Sequence, residues 1–500
     1  MHLLGIDVGT SGCKASVIAS NGQVVGKAYR EYFLEKPRPG WEELDPERIW
    51  KAVQEVVRGS LAAVEKKEPV GAISISSFGE TVVPVDRDGR PLYRGILYID
   101  PRGQEEAQEL KELLGEDKVN RITGASIHSM YSLPKIMWFR RHEPELYEKT
   151  WKFLLFADYI LFRLGAEPHT DYTLAARTLA FDIVQKQWSK DILDTAGIPV
   201  EKFGRPVQSG TVVGQLSPKW KEFFGMEGDA LLVAGGHDQP CAALGAGAIH
   251  PGLAIDGLGT TECVTPTFSR PVFGQQMTGN GFACVPHTVA GRYVTYAFTF
   301  TSGSVLKWYR DIIRPAYKQE AAELGVNVYD LIIDCATPGP SGLLLLPHFA
   351  GAATPYMDND AKGMMVGLSI NTQSQDISKA ILEGITFEMM LNLDRLDQAG
   401  IAISELRAVG GLAKSDGFLQ LKSDMMGQVI STLEVSEAGT VGVAILAGTA
   451  CGLYGSIEEA VGSLVRKKRV FEPNPSVHAQ YQETYQRYLR LYPAMKEIYR

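Results

Sequence analysis

Cysteine is scarce in this chain, and no two cysteines stand at a spacing that suits a metal site or a redox pair. The 500 residues include only six: Cys13, Cys241, Cys263, Cys284, Cys335 and Cys451. The lack of a CxxC pair and of zinc-type spacing argues against a disulfide scaffold or a zinc module. Dispersed single cysteines predict reduced thiols in a cytoplasmic protein.

Long apolar runs are also missing. Apolar runs such as residues 343–346 are far too short to span a bilayer, and the N-terminus lacks a basic region followed by an apolar core. A helix that spans a bilayer needs about 20 apolar residues. We therefore expect no membrane partner and no signal peptide.

Positive charge is in deficit, with a formal net charge of −8. General nucleic-acid binders usually present a basic face, so no nucleic-acid partner is expected. The net charge does not argue against binding of small anionic ligands, because glycine turns and helix N-termini bind anions without net positive charge. The 45% apolar and 22% charged content is that of a soluble globular enzyme. A chain of this length is too long for one core, which predicts two large domains or a few smaller ones.

The dinucleotide fingerprint Gly-x-Gly-x-x-Gly does not follow the first strand, which argues against a nicotinamide-dependent dehydrogenase. Two other glycine motifs are present. Gly235-Gly236-His237-Asp238-Gln239 follows an apolar run near the midpoint, and the chain opens with Leu3-Leu4-Gly5-Ile6-Asp7-Val8-Gly9-Thr10-Ser11-Gly12. Glycines let a ligand approach the backbone closely, so an acid beside them is placed for chemistry. We expect one motif to bind a nucleotide and the other to activate an acceptor.

The pattern of elements predicts an α/β protein made of two related halves. Three strands fill the first ~30 residues, a helix begins at Asp45-Pro46-Glu47, and residues 70–76 form a further strand. Residues 252–261 echo the N-terminal motif, including its acid and its Gly-Thr turn. This recurrence predicts an N-terminal domain over 1–247 and a C-terminal domain over 248–500. Residues 406–409 and 418–426 are expected as a strand and a helix, and the last ~30 residues as a terminal surface helix.

The glycine turns suit phosphate groups. Thr10 and Ser11 offer hydroxyls, the turn offers N–H groups, and Lys14 lies nearby. Asp7 would repel phosphates unless a magnesium ion, held mostly through water, lies between them. Gly259-Thr260-Thr261 repeats the turn in the second half, and Gly410-Gly411-Leu412-Ala413-Lys414-Ser415 follows a strand where backbone could lie against a planar or ribose group. Plain hairpins and a tight strand-to-helix turn are the structural alternatives.

Asp238 is the candidate catalytic base. At a helix N-terminus its anion would be stabilised, which predicts a lowered pKa and weak basicity. Phosphoryl transfer tolerates a weak base because its loose transition state asks mainly for orientation. The alternative role for Asp238 is an N-cap. His237 is expected to be a packing or hydrogen-bonding neighbour, because no partner ligands stand at metal spacing.

Two longer motifs carry a resemblance that covers nearly the whole chain. The first is Met130-Tyr131-Ser132-Leu133-Pro134-Lys135-Ile136-Met137-Trp138-Phe139-Arg140-Arg141-His142; the second is Gly363-Met364-Met365-Val366-Gly367-Leu368, a seven-residue spacer, and Asp376-Ile377-Ser378-Lys379-Ala380-Ile381-Leu382-Glu383. Smaller agreements are Gly40-Trp41-Glu42-Glu43-Leu44-Asp45-Pro46 and Ala176-Arg177-Thr178-Leu179. The chain resembles the FGGY carbohydrate kinases, the group of xylulokinase, glycerol kinase, gluconate kinase and ribulokinase.

The resemblance implies two ribonuclease H-like domains of the actin/Hsp70-type ATPase fold, with a cleft between them. It implies ATP and Mg²⁺ as cofactors, and it gives Asp238 the role of base, with Asp7 and Asp238 beside the metal. The residues that match the family's nucleotide contacts are Thr10, Ser11, Lys14, Gly259, Thr260, Gly303, Lys307, Gly410, Gly411 and Ser415. A homodimer is expected because dimers are common among similar kinases.

The acceptor site departs from the named members. Glycerol kinases carry Arg-Glu-Thr where this chain has Gly79-Glu80-Thr81, and xylulokinases carry Met-His-Gly where it has Phe78-Gly79-Glu80. The family's Trp-x-Asp-x-Arg is Tyr98-Ile99-Asp100-Pro101-Arg102 here. Paired carboxylates suit polyols.

The residues expected to bind the acceptor are Glu80, Thr81, Asp100, Arg102, Asp238 and Gln239. Acidic groups there disfavour an acid such as gluconate, although Arg102 could offset this. Asp100 has a plainer alternative role as a turn residue before Pro101.

The sequence therefore predicts an ATP-dependent kinase of a small-molecule ketose or polyol, with a xylulose-like ketose first. The alternative is a nucleotide-binding regulator or a non-transferring ATPase on the same fold. Such a switch needs no acceptor site, and Glu80, Asp100 and Asp238 argue against it.

Overall fold

The computed structural model describes residues 1–66, 68–334, 339–434 and 437–499. The five cysteines within these ranges are free thiols, and Cys335 lies outside the described residues. None of the helices in these ranges combines the length and the apolar character that a bilayer-spanning segment needs.

The first half is built on a six-stranded sheet. Its strands are β1 (His2–Val8), β2 (Gly12–Ala19), β3 (Val24–Glu31), β4 (Val70–Ser77), β5 (Val212–Gln215) and β6 (Leu231–His237), in the order β5-β6-β4-β1-β2-β3. Strands β1, β4 and β6 run parallel, and β1, β2 and β3 form an antiparallel meander. The three predicted opening strands are confirmed, because β1 is buried on both faces and a tight turn reverses the chain at residues 9–11.

Helix α1 (Pro46–Ala62) covers one face of this sheet. Asp45 caps it by accepting a 2.9 Å hydrogen bond from the N–H of Glu47, and Pro46 occupies the first turn. Ile49 and Val53 on its apolar stripe are fully buried. The predicted start of this helix is therefore confirmed.

The second half repeats the arrangement. Its sheet contains β7 (Leu253–Leu258), β8 (Glu262–Phe268), β9 (Val285–Pro286), β10 (Tyr293–Val294), β11 (Ala297–Thr299), β12 (Glu405–Gly410), β13 (Val429–Leu433) and β14 (Lys467–Phe471). The order is β9-β10-β8-β7-β12-β13-β14, and β11 also pairs with β8. In both sheets the first strand pairs antiparallel with the second and parallel with a later strand. The predicted recurrence is thus a recurrence of topology.

Four other helices are α2 (Asp238–Gly245), α3 (Ser374–Gln398), α4 (Asp416–Met426) and α5 (Ala438–Ala450). Helix α5 packs on β1, β4 and α2 of the first half. Helices α2 and α5 cross closely, since a Cβ at Gly245 would lie 1.8 Å from the carbonyl oxygen of Ala438, and one at Gly442 would lie 1.8 Å from that of Cys241. Only glycine fits these two positions. The division at 247/248 stays a prediction.

Further elements complete the described chain. The other helices are Gln104–Leu114, Glu116–Thr123, Ser132–His142, Pro144–Lys149, Phe156–Leu164, Tyr172–Ala175, Lys190–Ala196, Pro218–Phe224, Gln275–Thr278, Gly303–Trp308, Tyr317–Leu324, Val328–Asp334, Ile457–Leu464, Pro475–Tyr488 and Leu491–Tyr499. Single turns of tighter or wider helix are Ala176–Thr178, Val200–Lys202, Tyr309–Ile313 and Leu412–Lys414. The other strands are Glu43–Leu44, Val82–Val85, Gly95–Ile96, Lys152–Leu155, His169–Asp171, Phe181–Asp182, Gln187–Trp188, Arg205–Val207, Leu344–Leu346 and Met364–Val366.

The C-terminal segment corrects one expectation. It forms two helices, and the tyrosines of the first are buried against α3. Tyr481 donates a 3.0 Å hydrogen bond to Glu383, and Tyr485 donates one of 2.5 Å to Asp394. A tyrosine ring can enter a core when its hydroxyl finds a partner. The predicted surface helix is thus two helices, and the first has an exposed face and a buried tyrosine face, because carboxylates on α3 satisfy the phenols.

Candidate functional site

Asp7 and Asp238 lie at the same edge of the first sheet. Parallel strands β1, β4 and β6 place their carboxyl ends together, and the register aligns Asp7 with Ser76 and Ser76 with Gly236. Ser76 Oγ donates a 2.6 Å hydrogen bond to Asp7 Oδ1. Asp238 is the first residue of α2, immediately after β6. This edge is where ligands bind in open α/β sheets.

The pKa of Asp238 is raised to about 7. Burial is the largest cause, and the negative charges of Asp7 and Glu80 add to it, while Arg177 and a backbone hydrogen bond from Gln239 act in the opposite direction. The expectation of a lowered pKa is therefore wrong, because desolvation and two neighbouring acids outweigh the helix N-terminus. A carboxyl with this pKa is a better proton acceptor near neutral pH than an ordinary aspartate.

His237 orients this corner, as expected of a hydrogen-bonding neighbour. Its backbone N–H donates a 2.7 Å hydrogen bond to Thr173 Oγ1, its Nδ1 lies 3.0 Å from Tyr296 Oη, and its Nε2 lies 3.2 Å from Asp238 Oδ1. Burial and the charge of Arg177 lower the pKa of His237 well below its usual value, so the ring is neutral. Gln239 follows Asp238 and is partly exposed.

Glu80 forms a buried ion pair with Arg177. The Nε of Arg177 donates a 2.6 Å hydrogen bond to Glu80 Oε1, and the guanidinium lies 5.1 Å from the ring centre of Tyr131 and 5.5 Å from that of Tyr296. Glu80 has a φ of 62°, which a non-glycine residue adopts at a cost in strain. Burial raises the pKa of Glu80, and Arg177 opposes that shift. Sequence analysis listed Arg177 only within a family motif, although a buried acid required such a partner.

Asp100 and Arg102 pair with each other, which disfavours their predicted role as acceptor contacts. Arg102 donates to both carboxylate oxygens of Asp100 at 2.9 and 2.7 Å and pairs with Glu43 at 2.8 Å. The side chain of Asp100 is 0% exposed, and that of Arg102 is 4% exposed. Arg102 also lies 3.7 Å from the ring centre of Trp41. Asp100 and Arg102 are both paired within the protein. The charge of Arg102 is therefore not available to offset acidic groups in the acceptor site.

The burial of Thr81 likewise disfavours its predicted role as an acceptor contact. It is fully buried, its hydroxyl finds no partner among the described residues, and its methyl group packs near Gly95. Tyr98, by contrast, is a residue that sequence analysis quoted but did not select. It is half-buried, and burial followed by the charges of Glu80 and Asp238 raises its pKa. An aromatic position inside the Tyr98-Ile99-Asp100-Pro101-Arg102 motif was the available signal.

Lys14, just after the first glycine turn, joins the two halves. Lys14 Nζ lies 3.3 Å from Asp7 Oδ2 and 2.7 Å from Glu437 Oε2. Burial opposes the charge of Lys14, but these two acids outweigh it and raise its pKa. Thr10 is partly exposed and Ser11 is exposed at the tip of the turn.

A cavity of about 540 Å³ lies in the second half. The residues that line it are Leu258, Gly259, Thr260, Gly303, Ser304, Lys307, Asn327, Tyr329, Asp330, Ile333, Gly411, Leu412, Lys414 and Ser415. They include six of the predicted nucleotide residues. Gly410 lies beside them with a φ of 102°, where a Cβ would meet the carbonyl oxygen of Leu258 at 2.4 Å. Asn327, Tyr329 and Asp330 lay outside any glycine motif, so no sequence signal marked them.

The charge of Asp238 reaches residues of the second half near the cavity. Burial is the largest cause that raises the pKa of Cys263 to about 12, and Asp238, Asp256 and Glu262 add to it. Cys263, in β8, is therefore near enough to Asp238 of the first half and to Asp256 and Glu262 of the second for their charges to act on it.

No cluster of three or more histidine, cysteine or acidic side chains among the described residues could hold a metal alone. This donor set still fits Mg²⁺, which keeps several waters and usually takes one or two protein carboxylates together with substrate phosphates. Asp7 and Asp238 are the carboxylates at this edge.

Duplicated sheets of one topology, with acids and glycine turns at their edges, define an α/β protein of the actin/Hsp70-type ATPase fold. Residues 2–245 match the N-terminal domain of the FGGY family of carbohydrate kinases, and residues 257–451 match its C-terminal domain. The chain belongs to the FGGY family of carbohydrate kinases.

Individual relatives agree over nearly full length. The chain is 30% identical over 497 residues to a xylulose kinase of Staphylococcus epidermidis, covering 99% of this chain and 97% of that one. It is 28% identical over 476 residues to a gluconokinase of Bacillus subtilis, covering 93% and 91%. The crystal structure of a ligand-bound xylulose kinase from Lactobacillus acidophilus superimposes with a TM-score of 0.89 at 25% identity, covering 100% of this chain and 99% of that one.

Proposed function

We propose that the protein transfers the γ-phosphoryl group of ATP to a hydroxyl of an uncharged ketose or polyol, with a xylulose-like ketose first. The observation that carries the proposal is the position of Asp238, which begins α2 at the carboxyl edge of the first sheet, near Asp7 and Glu80. The raised pKa of Asp238 supports it. A base is most effective when its pKa is near the working pH. A regulator that only switches with nucleotide has no use for such a base.

In the proposed reaction Asp238 orients the acceptor hydroxyl and accepts its proton. The hydroxyl oxygen forms a bond to the γ-phosphorus, the bond from that phosphorus to the β–γ bridging oxygen breaks, and ADP leaves. The transition state is loose, so positioning and charge stabilisation supply most of the rate. When bound beside Asp7 and Asp238, Mg²⁺ would neutralise charge on the phosphates. The turn at Thr10, Ser11 and Lys14 and the cavity around Gly259, Thr260, Gly303, Lys307, Gly410, Gly411 and Ser415 are proposed to hold the nucleotide.

The charges around the acceptor corner favour an uncharged substrate. Arg177 is paired with Glu80, Lys14 with Asp7 and Glu437, and Arg102 with Asp100 and Glu43. None of these cations is free to bind a substrate carboxylate, and a sugar acid would meet the field of Asp7 and Asp238. Glu80, Asp238, Gln239 and Tyr98 are the proposed acceptor contacts. The relatives include both a xylulose kinase and a gluconokinase, so they do not distinguish a neutral sugar from a sugar acid. The pairing of these charges is therefore what favours an uncharged substrate.

The test is ADP release with Mg²⁺ over a panel that contains D-xylulose, other ketoses, glycerol, polyols and D-gluconate. We expect a neutral sugar to be the best acceptor. Asp238→Asn should lose roughly 10²- to 10⁴-fold in kcat and keep nucleotide binding. The matched control is Asp229→Asn, because the Asp229 side chain is 78% exposed. ATP turnover that no acceptor stimulates would favour the regulator, and full activity of Asp238→Asn would remove the base assignment.

Two wider expectations remain proposals. The five free thiols fit a reducing compartment such as the cytoplasm. A homodimer is expected from the resemblance, and light scattering of the purified protein tests it.

A further inference from the structure

A buried ion cluster adjoins the nucleotide cavity and has no part in the proposed chemistry. Lys422 Nζ lies 2.5 Å from Asp256 Oδ2 and 2.5 Å from Glu262 Oε1. The side chains of Lys422 and Asp256 are 0% exposed, and that of Glu262 is 1% exposed. Charges removed from water this completely persist only when partners compensate their desolvation.

The cluster joins the segments that form the cavity wall. Asp256 lies in β7 just before the turn 259–261, and Glu262 begins β8 just after it. Lys422 lies in α4, whose first turn is capped by Ser415 of the 410–415 loop. One ammonium group therefore binds both ends of the turn and ties them to the helix that continues the loop.

A second set of bonds extends the cluster to the helix Gly303–Trp308. Ser302 Oγ donates a 3.2 Å hydrogen bond to Glu262 Oε2. The backbone N–H groups of Ser302 and Ser304 donate to the carbonyl oxygen of Thr260 at 3.0 and 3.2 Å, and that of Gly303 donates to the carbonyl oxygen of Gly259 at 3.1 Å. A Cβ at Gly303 would lie 2.6 Å from that oxygen, so the start of the helix packs directly against the turn.

The corresponding turn of the first half is built differently. There the acid is Asp7, with a side chain 18% exposed, and its lysine is Lys14, which is 33% exposed. Asp256 lies one position farther from its turn than Asp7 does, so Gly257 is the residue whose register matches that of Asp7. The side chain of Asp256 is enclosed, and a lysine from a distant helix pairs with it. The first acid is thus open to ligands, whereas the second serves only the protein.

We propose that Lys422 is a positioning residue for the nucleotide: by binding Asp256 and Glu262 it holds the 259–261 turn, the start of the Gly303–Trp308 helix and the 410–415 loop in one arrangement. It sets the affinity for the nucleotide without touching it, since a preorganised site loses less entropy on binding. The inference rests on the proposed binding of ATP in this cavity.

The test compares Lys422→Met with Lys379→Met, another buried lysine-to-methionine change in the second half. We expect Lys422→Met to raise the KM for ATP and the Kd for ADP roughly tenfold, a difference of about 1.4 kcal/mol. The KM for the sugar should change by less than about twofold, because the acceptor corner is built on the first sheet. Lys379→Met should leave the KM for ATP near the wild-type value.

Ser302→Ala and Glu262→Gln are milder variants that weaken the same links, and they carry the test if Lys422→Met does not fold. Both should raise the Kd for ADP in calorimetry, in the same direction. Equal changes in the constants for nucleotide and sugar, or no change in folded variants, would overturn the positioning role. Wild-type protein that binds ADP but transfers nothing to any sugar would instead defeat the proposed function, and the calorimetric comparison would still decide the role of Lys422.

Discussion

The pH dependence of phosphoryl transfer tests the electrostatic origin of the proposed base. Asp238 must be deprotonated to accept a proton, so kcat/KM for the sugar should fall as the pH drops through the pKa of this group. Burial, Asp7 and Glu80 raise that pKa from 3.8 to about 7. We predict an acidic limb well above the range of an ordinary aspartate, because each of these causes disfavours the anion.

Glu80→Gln removes one of the two negative neighbours and keeps the shape of the side chain. It also leaves the charge of Arg177 unbalanced, which favours the anion of Asp238 further. Burial, the largest cause, is unchanged, so the pKa should fall only part of the way. We expect the acidic limb of kcat/KM to move by about one pH unit toward acid, equivalent to about 1.4 kcal/mol.

The assay is ADP release at saturating Mg²⁺ and ATP and low sugar, from pH 5 to 9. Asp229→Asn is the control, because its side chain is exposed and pairs with Lys221 and not with any of the acids named above. It should leave the limb unmoved. Coinciding limbs for wild type and Glu80→Gln would refute the reasoning, since they would show that Glu80 does not act on the titrating group.

Two further predictions concern stability, each read from chemical denaturation. Gly442→Ala should destabilise the protein by several kcal/mol or prevent folding, because its Cβ would lie 1.8 Å from the carbonyl oxygen of Cys241. The control Gly462→Ala, with open space around its Cβ, should be neutral or stabilising by up to about 1 kcal/mol. Similar denaturation midpoints for the two variants would contradict the close helix crossing. Arg102→Met should cost about 3–5 kcal/mol, because it strands the buried carboxylate of Asp100, while the KM for the sugar stays near wild type in the folded fraction. A large rise in that KM without loss of stability would return Arg102 to the acceptor site.

Local chemistry explains why much of the fold could be predicted. Helix α1 carries its own cap and proline, and the tight turn after β1 carries its glycines, so short-range rules were sufficient. The C-terminal tyrosines show the limit of these rules. Whether a tyrosine is exposed depends on an acid about 100 residues away, such as Glu383 for Tyr481, and no local pattern contains that partner.

The same limit applies to the residues of the candidate site. Asp7, Asp238 and the glycine turns were visible because each lies in a short motif that ends a strand. Asp100 looked equally suitable, yet its partner Arg102 is only two residues away and takes both oxygens. Arg177 and Lys422 went unselected because each acts on an acid far away in the chain.

The order of residues by itself determined the family, the strand-and-turn motifs and the identity of the acid at the midpoint. Those features depend on neighbours within a few positions, where backbone geometry and residue type are enough. Only the tertiary structure decided how the charges pair. It determines which acids remain accessible at the sheet edge and which are paired with a buried cation. It also determines the direction in which the pKa of Asp238 shifts. Pairing and desolvation depend on distances through space, and those exist only after the chain has folded.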